Sequence, residues 1–70
     1  MENQVMDIYQ VKEEIVNSFG KEKWFSFYGY LCNRILLENN KMKFSKLVTD
    51  GHSVWYIEGD PEKGEFYIKK

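Results

Sequence analysis

Within four residues, Asp50, His52 and Ser53 offer a carboxylate, a base and a hydroxyl, the set that nucleophilic catalysis draws on. Their spacing works against that use. Neighbouring strand residues point to opposite faces, so the side chains of His52 and Ser53 are expected to diverge, leaving His52 as a turn-flanking surface residue. Glu13 and Glu14 are adjacent carboxylates in a helical pattern, where consecutive side chains do not meet. Cys32 is the one cysteine and His52 the one histidine, so an internal disulfide and a four-ligand zinc site are both excluded. Cys32 lies in the most apolar stretch and is expected to be a small core residue. The five glycines match no phosphate-cradling motif. No catalytic residue, metal or cofactor is expected, and the chain is not expected to be an enzyme.

Contact chemistry has better candidates. Lys41, Lys43 and Lys46 form the basic cluster of the chain and would meet phosphates as point charges. Cations after a helix are also favoured by the helix dipole, which explains the cluster without a ligand. Leu47, Val54, Tyr56 and Tyr67 fall on one face of a strand pattern, rimmed by Lys43, Glu58, Glu65 and Lys69. An aromatic and aliphatic centre inside a charged rim is the composition of protein contact surfaces. Bases could stack on Tyr56 and Tyr67, but Glu58 and Glu65 would then lie beside the phosphates.

These residues must be positioned by 70 residues, room for one domain spanning 1–70. So short a chain buries only about 60% of its unfolded surface, and it compensates with twelve aromatics, whose rings bury the most area per residue. The longest aliphatic run, Ile35–Leu37, is far short of a membrane span, and Met1–Gln4 lacks the basic and apolar stretches of a signal peptide. A cytoplasmic location and no membrane contact are therefore expected. Charge is balanced only in sum. Glu2, Asp7, Glu13 and Glu14 against Lys12 leave residues 1–20 at −3. Residues 21–49 stand at +4 and residues 50–70 at −2. The basic middle is expected to face the acidic first segment within the fold.

Residues 4–19 carry a helical stripe of Val5, Ile8, Tyr9, Val11, Ile15, Val16 and Phe19, with Asn3 as its N-cap and Gly20 past its end. Residues 22–39 are expected to form a second helix, ended by Asn39-Asn40. A strand over residues 24–30 is the alternative, since Trp, Phe and Tyr favour strands. As a helix this segment is apolar almost all round, so a third side, beyond the first helix and the sheet, is open to a homodimer contact. From Lys43 the apolar period becomes two. A two-residue turn at Asp50-Gly51 would pair Thr49 with His52 and Phe44 with Ile57. A turn over Gly59–Gly64 would pair Glu58 with Glu65, Ile57 with Phe66 and Tyr56 with Tyr67. Phe44, Val48, Trp55, Ile57, Phe66 and Ile68 then share one face, with Lys46 as its misfit.

The expected architecture is α+β: two N-terminal helices packed on one face of a C-terminal three-stranded antiparallel β-meander. The expected function is a small protein-binding module of inhibitor, immunity or regulatory type that occupies a surface of a larger protein partner. Leu47, Val54, Tyr56 and Tyr67 would bind, with Tyr30 or Trp24 contributing from the helix. A nucleic-acid-binding regulator using Lys41, Lys43 and Lys46 is the alternative. Size and Lys-, Asn-, Ile- and Tyr-rich usage associate the chain with bacterial or phage proteins.

Overall fold

The computed structural model describes residues 4–70. Helices α1 (Ile8–Phe19) and α2 (Lys21–Cys32) precede strands β1 (Phe44–Thr49), β2 (Val54–Asp60) and β3 (Glu65–Lys69). The strands form an antiparallel sheet in the order β1-β2-β3, and both helices pack on its inner face. This is the expected α+β meander.

The first helix starts later than its apolar stripe suggests. Asp7 is the N-cap: its Oδ1 accepts from the Gln10 N–H at 2.8 Å, while Gln10 Oε1 accepts from the Asp7 N–H at 2.9 Å. The reciprocal pair satisfies two amides that a helix start leaves orphaned. Just before it, Met6 exchanges two backbone hydrogen bonds with Phe66, at 2.8 and 2.9 Å. Sheet pairing thus takes the residues that the stripe assigned to a first helical turn. Val5 consequently lies outside the core and is exposed, and Tyr9, within the helix but at the margin of its stripe, is exposed too. Asn3, the expected cap, lies outside the described residues.

Gly20 separates the helices at φ 99° and ψ 170°, and its N–H reaches the carbonyls of Ile15 and Val16. A side chain at that backbone angle would be strained, which is why glycine stands there. Residues 24–30 are helical, not extended. Trp24, Phe27 and Leu31 recur at helical spacing and are all buried. The helix continues as a π-helical turn, Asn33–Leu37, and ends where the paired asparagines predict. Asn39 takes φ 54°, and the Asn40 N–H donates to the Arg34 carbonyl at 2.7 Å. From that turn Arg34 Nη2 donates to the Met42 carbonyl at 3.0 Å, tying helix end to sheet start. Its guanidinium also lies over the rings of Tyr30 and Phe44, with ring centroids at 5.8 and 5.7 Å.

All six residues assigned to the apolar sheet face are buried there. Lys46, the misfit, is half-buried with its Nζ 4.8 Å from the Tyr30 ring centroid, a cation held on a π-face. The pairing register, however, differs from expectation by two residues in both hairpins. Thr49 pairs with Val54, not His52, because Asp50–Ser53 form a four-residue connection. Asp50 Oδ1 accepts from the backbone N–H groups of His52 and Ser53, both at 2.9 Å. The Thr49 hydroxyl donates to the Ser53 carbonyl at 2.7 Å. Side chains thereby close the turn that a two-residue connection would have closed with backbone alone.

In the second hairpin Asp60 pairs with Glu65, and Gly59 belongs to β2, not to the turn. Gly59 sits directly between Phe44 on β1 and Phe66 on β3. The expected register would have placed Ile57 there, crowding three large side chains into one row. With glycine in the middle the two rings approach to 6.1 Å between centroids over the bare backbone. The space is fully used: a Cβ at Gly59 would lie 2.7 Å from both the Glu65 carbonyl oxygen and Phe66 Cδ1, and 3.3 Å from Phe44 Cε1. A shift of two preserves which face each side chain takes, so the inner face is as expected while its partners are not.

Rings continue the row into the helical layer. Phe27 lies 6.0 Å from Phe44 and 6.1 Å from Trp24, and Phe19 meets Trp55 edge-on at 4.7 Å. Val11, Ile15 and Ile57 are completely buried between the layers. Burying a side chain of that size stabilises by about 1.5–3 kcal/mol. Glu14 pairs with Lys70 at 3.4 Å, and Lys70 Nζ lies 4.7 Å from the Trp55 ring centroid. The ion pairs among the described residues are this one and Lys69–Glu58. The basic middle therefore meets aromatic rings through Arg34 and Lys46, in place of the acidic first segment.

Replacing Gly59 with alanine should destabilise the fold by about 1–3 kcal/mol through overpacking. Urea unfolding followed by far-UV circular dichroism measures it, and an unchanged midpoint would refute the role given to that gap.

Candidate functional site

The outer face of the sheet carries Ser45, Leu47 and Thr49 from β1, Val54, Tyr56, Glu58 and Asp60 from β2, and Glu65, Tyr67 and Lys69 from β3, the side chains that alternate with the buried set. Leu47 stands directly opposite Tyr56, and Val54 lies one pair further along the same hairpin. These three remain about half exposed, at 46%, 49% and 50% for Leu47, Tyr56 and Val54. Both helices are on the other side, so the cluster faces outward.

Tyr67 is placed differently from expectation. It pairs with Glu58, while Tyr56 pairs with Lys69. These four side chains form a two-by-two block on β2 and β3. Lys69 Nζ reaches Glu58 Oε1 at 3.3 Å along one diagonal, so the tyrosines occupy the other and are not cross-strand partners. The half-buried Tyr67 instead lines a shallow groove with Lys43, Glu58, Asp60, Lys63 and Glu65. The apolar centre is therefore Leu47, Val54 and Tyr56, with Tyr67 beyond the ion pair. The two-residue register shift accounts for the difference.

Lys41, Lys43 and Lys46 are not brought together. Lys46 faces inward onto Tyr30, whereas exposed Lys41 and Lys43 share a groove with Asp60 and Glu62. Strand alternation separates Lys43 from Lys46, and acidic side chains of the second turn flank the outer pair. Asp50, His52 and Ser53 form the β1–β2 turn, where the Asp50 carboxylate accepts from the backbone amides of His52 and Ser53. Those amides hold Asp50 below its ordinary pKa of 3.8, the Ser53 N–H contributing most. Among the described residues, no three His, Cys, Asp or Glu side chains gather as a metal site, and no helix is long and apolar enough to cross a membrane.

A second exposed apolar surface lies on the helical layer. Trp24, one expected contributor, is in the core, and Tyr30 is half-buried against Phe44. Phe25, Tyr28, Leu36 and Leu37 are the exposed ones, at 65%, 47%, 74% and 80%. The signal for them was the apolar character of residues 22–39 all round; what the pattern did not specify was which side the sheet would cover. Cys32 is half-buried in this surface. Its contact with the Tyr28 hydroxyl is the main reason the Tyr28 pKa lies above its ordinary value, and Tyr9 on α1 contributes.

No protein-family model matches the chain, and no curated protein or solved structure matches it either.

The Asp50 turn gives a pH prediction with a definite sign. A carboxyl whose pKa is lowered on folding stabilises the fold above its unfolded value and loses that contribution as pH falls through the folded value. Asp50→Ala should therefore be less stable than the parent at neutral pH, and the difference should shrink as pH drops from about 4 toward 2. Parallel urea titrations across that range measure it; a gap that widened on acidification would contradict the assignment.

Proposed function

We propose that this chain is a non-enzymatic protein-binding module that acts by occupying a surface of a larger protein, as small inhibitors, immunity proteins and regulators do. The observation that carries this reading is the outer sheet face. Leu47, Val54 and Tyr56 stand next to one another, about half exposed, at positions that the strand ladder fixes. A rigid surface loses little conformational freedom on binding, so more of the burial energy becomes affinity. Tyr56 supplies aromatic area with a polar tip, the side-chain type that most often anchors protein contacts. The Lys69–Glu58 pair and Tyr67 form the rim on one side. The partner this face fits is a protein surface with an apolar patch of similar size and opposite charges around it.

A contact between copies of the chain through the helical segment 22–39 draws support from a separate observation, the exposure of Phe25, Tyr28, Leu36 and Leu37.

Affinity capture of the tagged chain from its native cell, read by mass spectrometry, tests the sheet-face reading. A protein enriched by the parent chain should fall about tenfold or more in recovery with Tyr56→Ala/Tyr67→Ala, a change of about 1.4 kcal/mol or more. The variant should keep the parental circular dichroism spectrum. Equal recovery with the variant would refute this site.

A further inference from the structure

We infer that the exposed face of α2 and the π-helical turn joins two copies of this chain about a two-fold axis near Gly29, with Phe25 of each copy seated in the groove between Gly29 and Leu36 of the other. The inference rests on reading segment 22–39 as a contact between copies, and it adds the axis and the interlocking residues.

Continuity of the face comes first. Gly29, Cys32, Asn33, Leu36 and Leu37 line one shallow groove of about 550 Å³. Tyr28 lies one helical turn before Cys32, at the edge of the groove. Phe25 lies one helical turn before Tyr28 and Gly29, on the same side of the helix.

Area comes second. At about 200 Å² for a large apolar or aromatic side chain, the exposed parts of Phe25, Tyr28, Leu36 and Leu37 amount to roughly 500–550 Å². That is at the upper end of the roughly 300–600 Å² of the largest patch on a typical monomer. It is about two thirds of the roughly 800 Å² that each partner contributes to a standard interface.

Shape and charge favour a second copy as the occupant. A two-fold contact requires one surface to carry both the projection and the recess that receives it. Phe25 is 65% exposed and projects, while Gly29 has no side chain, and a Cβ added there would enter open space. In an antiparallel pair crossing near Gly29, Phe25 of one helix falls against Cys32 and Leu36 of the other, and the converse follows by symmetry. Phe25, Tyr28, Gly29, Cys32, Leu36 and Leu37 include no Asp, Glu, Lys, Arg or His, so the symmetry brings no like charges together among them. Gly29 also lacks a use within one copy, since glycine in the interior of an exposed helix face costs stability relative to alanine.

Sedimentation equilibrium on the full chain, from micromolar to millimolar, tests the inference. The parent chain should show a reversible monomer–dimer equilibrium. Phe25→Glu/Leu36→Glu should raise the dissociation constant at least about tenfold with an unchanged circular dichroism spectrum. Gly29→Leu separates interface from fold: it should weaken the dimer by a similar factor, while the dilute monomer melts no lower than the parent. Tyr56→Ala/Tyr67→Ala should dimerise like the parent. A parent chain that is monomeric throughout would overturn the contact between copies altogether. A dimer unaffected by the Phe25/Leu36 change would place it on another face. A dimer sensitive to that change and indifferent to Gly29→Leu would overturn the axis.

Discussion

The gap left by the missing side chain of Gly59 is the constraint on which the sheet depends. One row of the inner face runs from Phe44 through Gly59 and Phe66 to Met6, and it touches all three strands and the bridge before α1. Two phenyl rings fit that row because its middle position is bare backbone. The row aligns β1 with β2 and β2 with β3 in a single contact. It also holds Phe66 where its backbone pairs with Met6, which fixes the start of α1 by way of the Asp7 cap. Phe27 packs on Phe44 from above, so α2 is registered against the same row. In a fold this small, a defect there has few other contacts to absorb it.

Alternation and register were legible to different degrees, for a physical reason. Apolar residues at every second position assign Val48, Trp55, Ile57 and Ile68 to the inner face, and any shift by an even number of residues leaves that assignment intact. Which residues pair is decided by turn geometry and by volume within a row, and neither is a periodic signal. Asp50 and Gly51 suggest a two-residue turn, but the Asp50 carboxylate and Thr49 hydroxyl build a four-residue one. Gly59 beside Asp60-Pro61 has the composition of a turn, yet its place is set by two rings far from it in sequence. The contact face inherited both sides of this: Leu47, Val54 and Tyr56 share a face as parity requires, and Tyr67 stands apart from Tyr56 because the register moved.

Helix assignment followed a similar division. Spacing in residues 22–39 indicates a helix, and Trp24, Phe27 and Leu31 form its buried stripe. A segment apolar on all sides carries no mark of which side the sheet takes, so Phe25, Leu36 and Leu37 could not be told from core residues. At the N-terminus the error ran the other way. Val5 continues the periodic stripe, but pairing at Phe66 and the capping pair at Asp7 outweigh one further helical turn. Summed charge was a weak guide as well, since Arg34, Lys46 and Lys70 each find a ring face, a partner that charge counting does not register.

Lys46 bears on how the molecule avoids growing. β1 is an edge of the sheet, and its outer row of backbone groups has no partner strand among the described residues. An edge of that kind is a template for another chain, and continued addition of strands leads to aggregates. A strand arriving beside β1 would have to extend the apolar face past an inward-pointing ammonium already seated over the Tyr30 ring. It would bury that charge further with nothing to neutralise it. The residue that breaks the apolar pattern thus guards the β1 edge against strand addition.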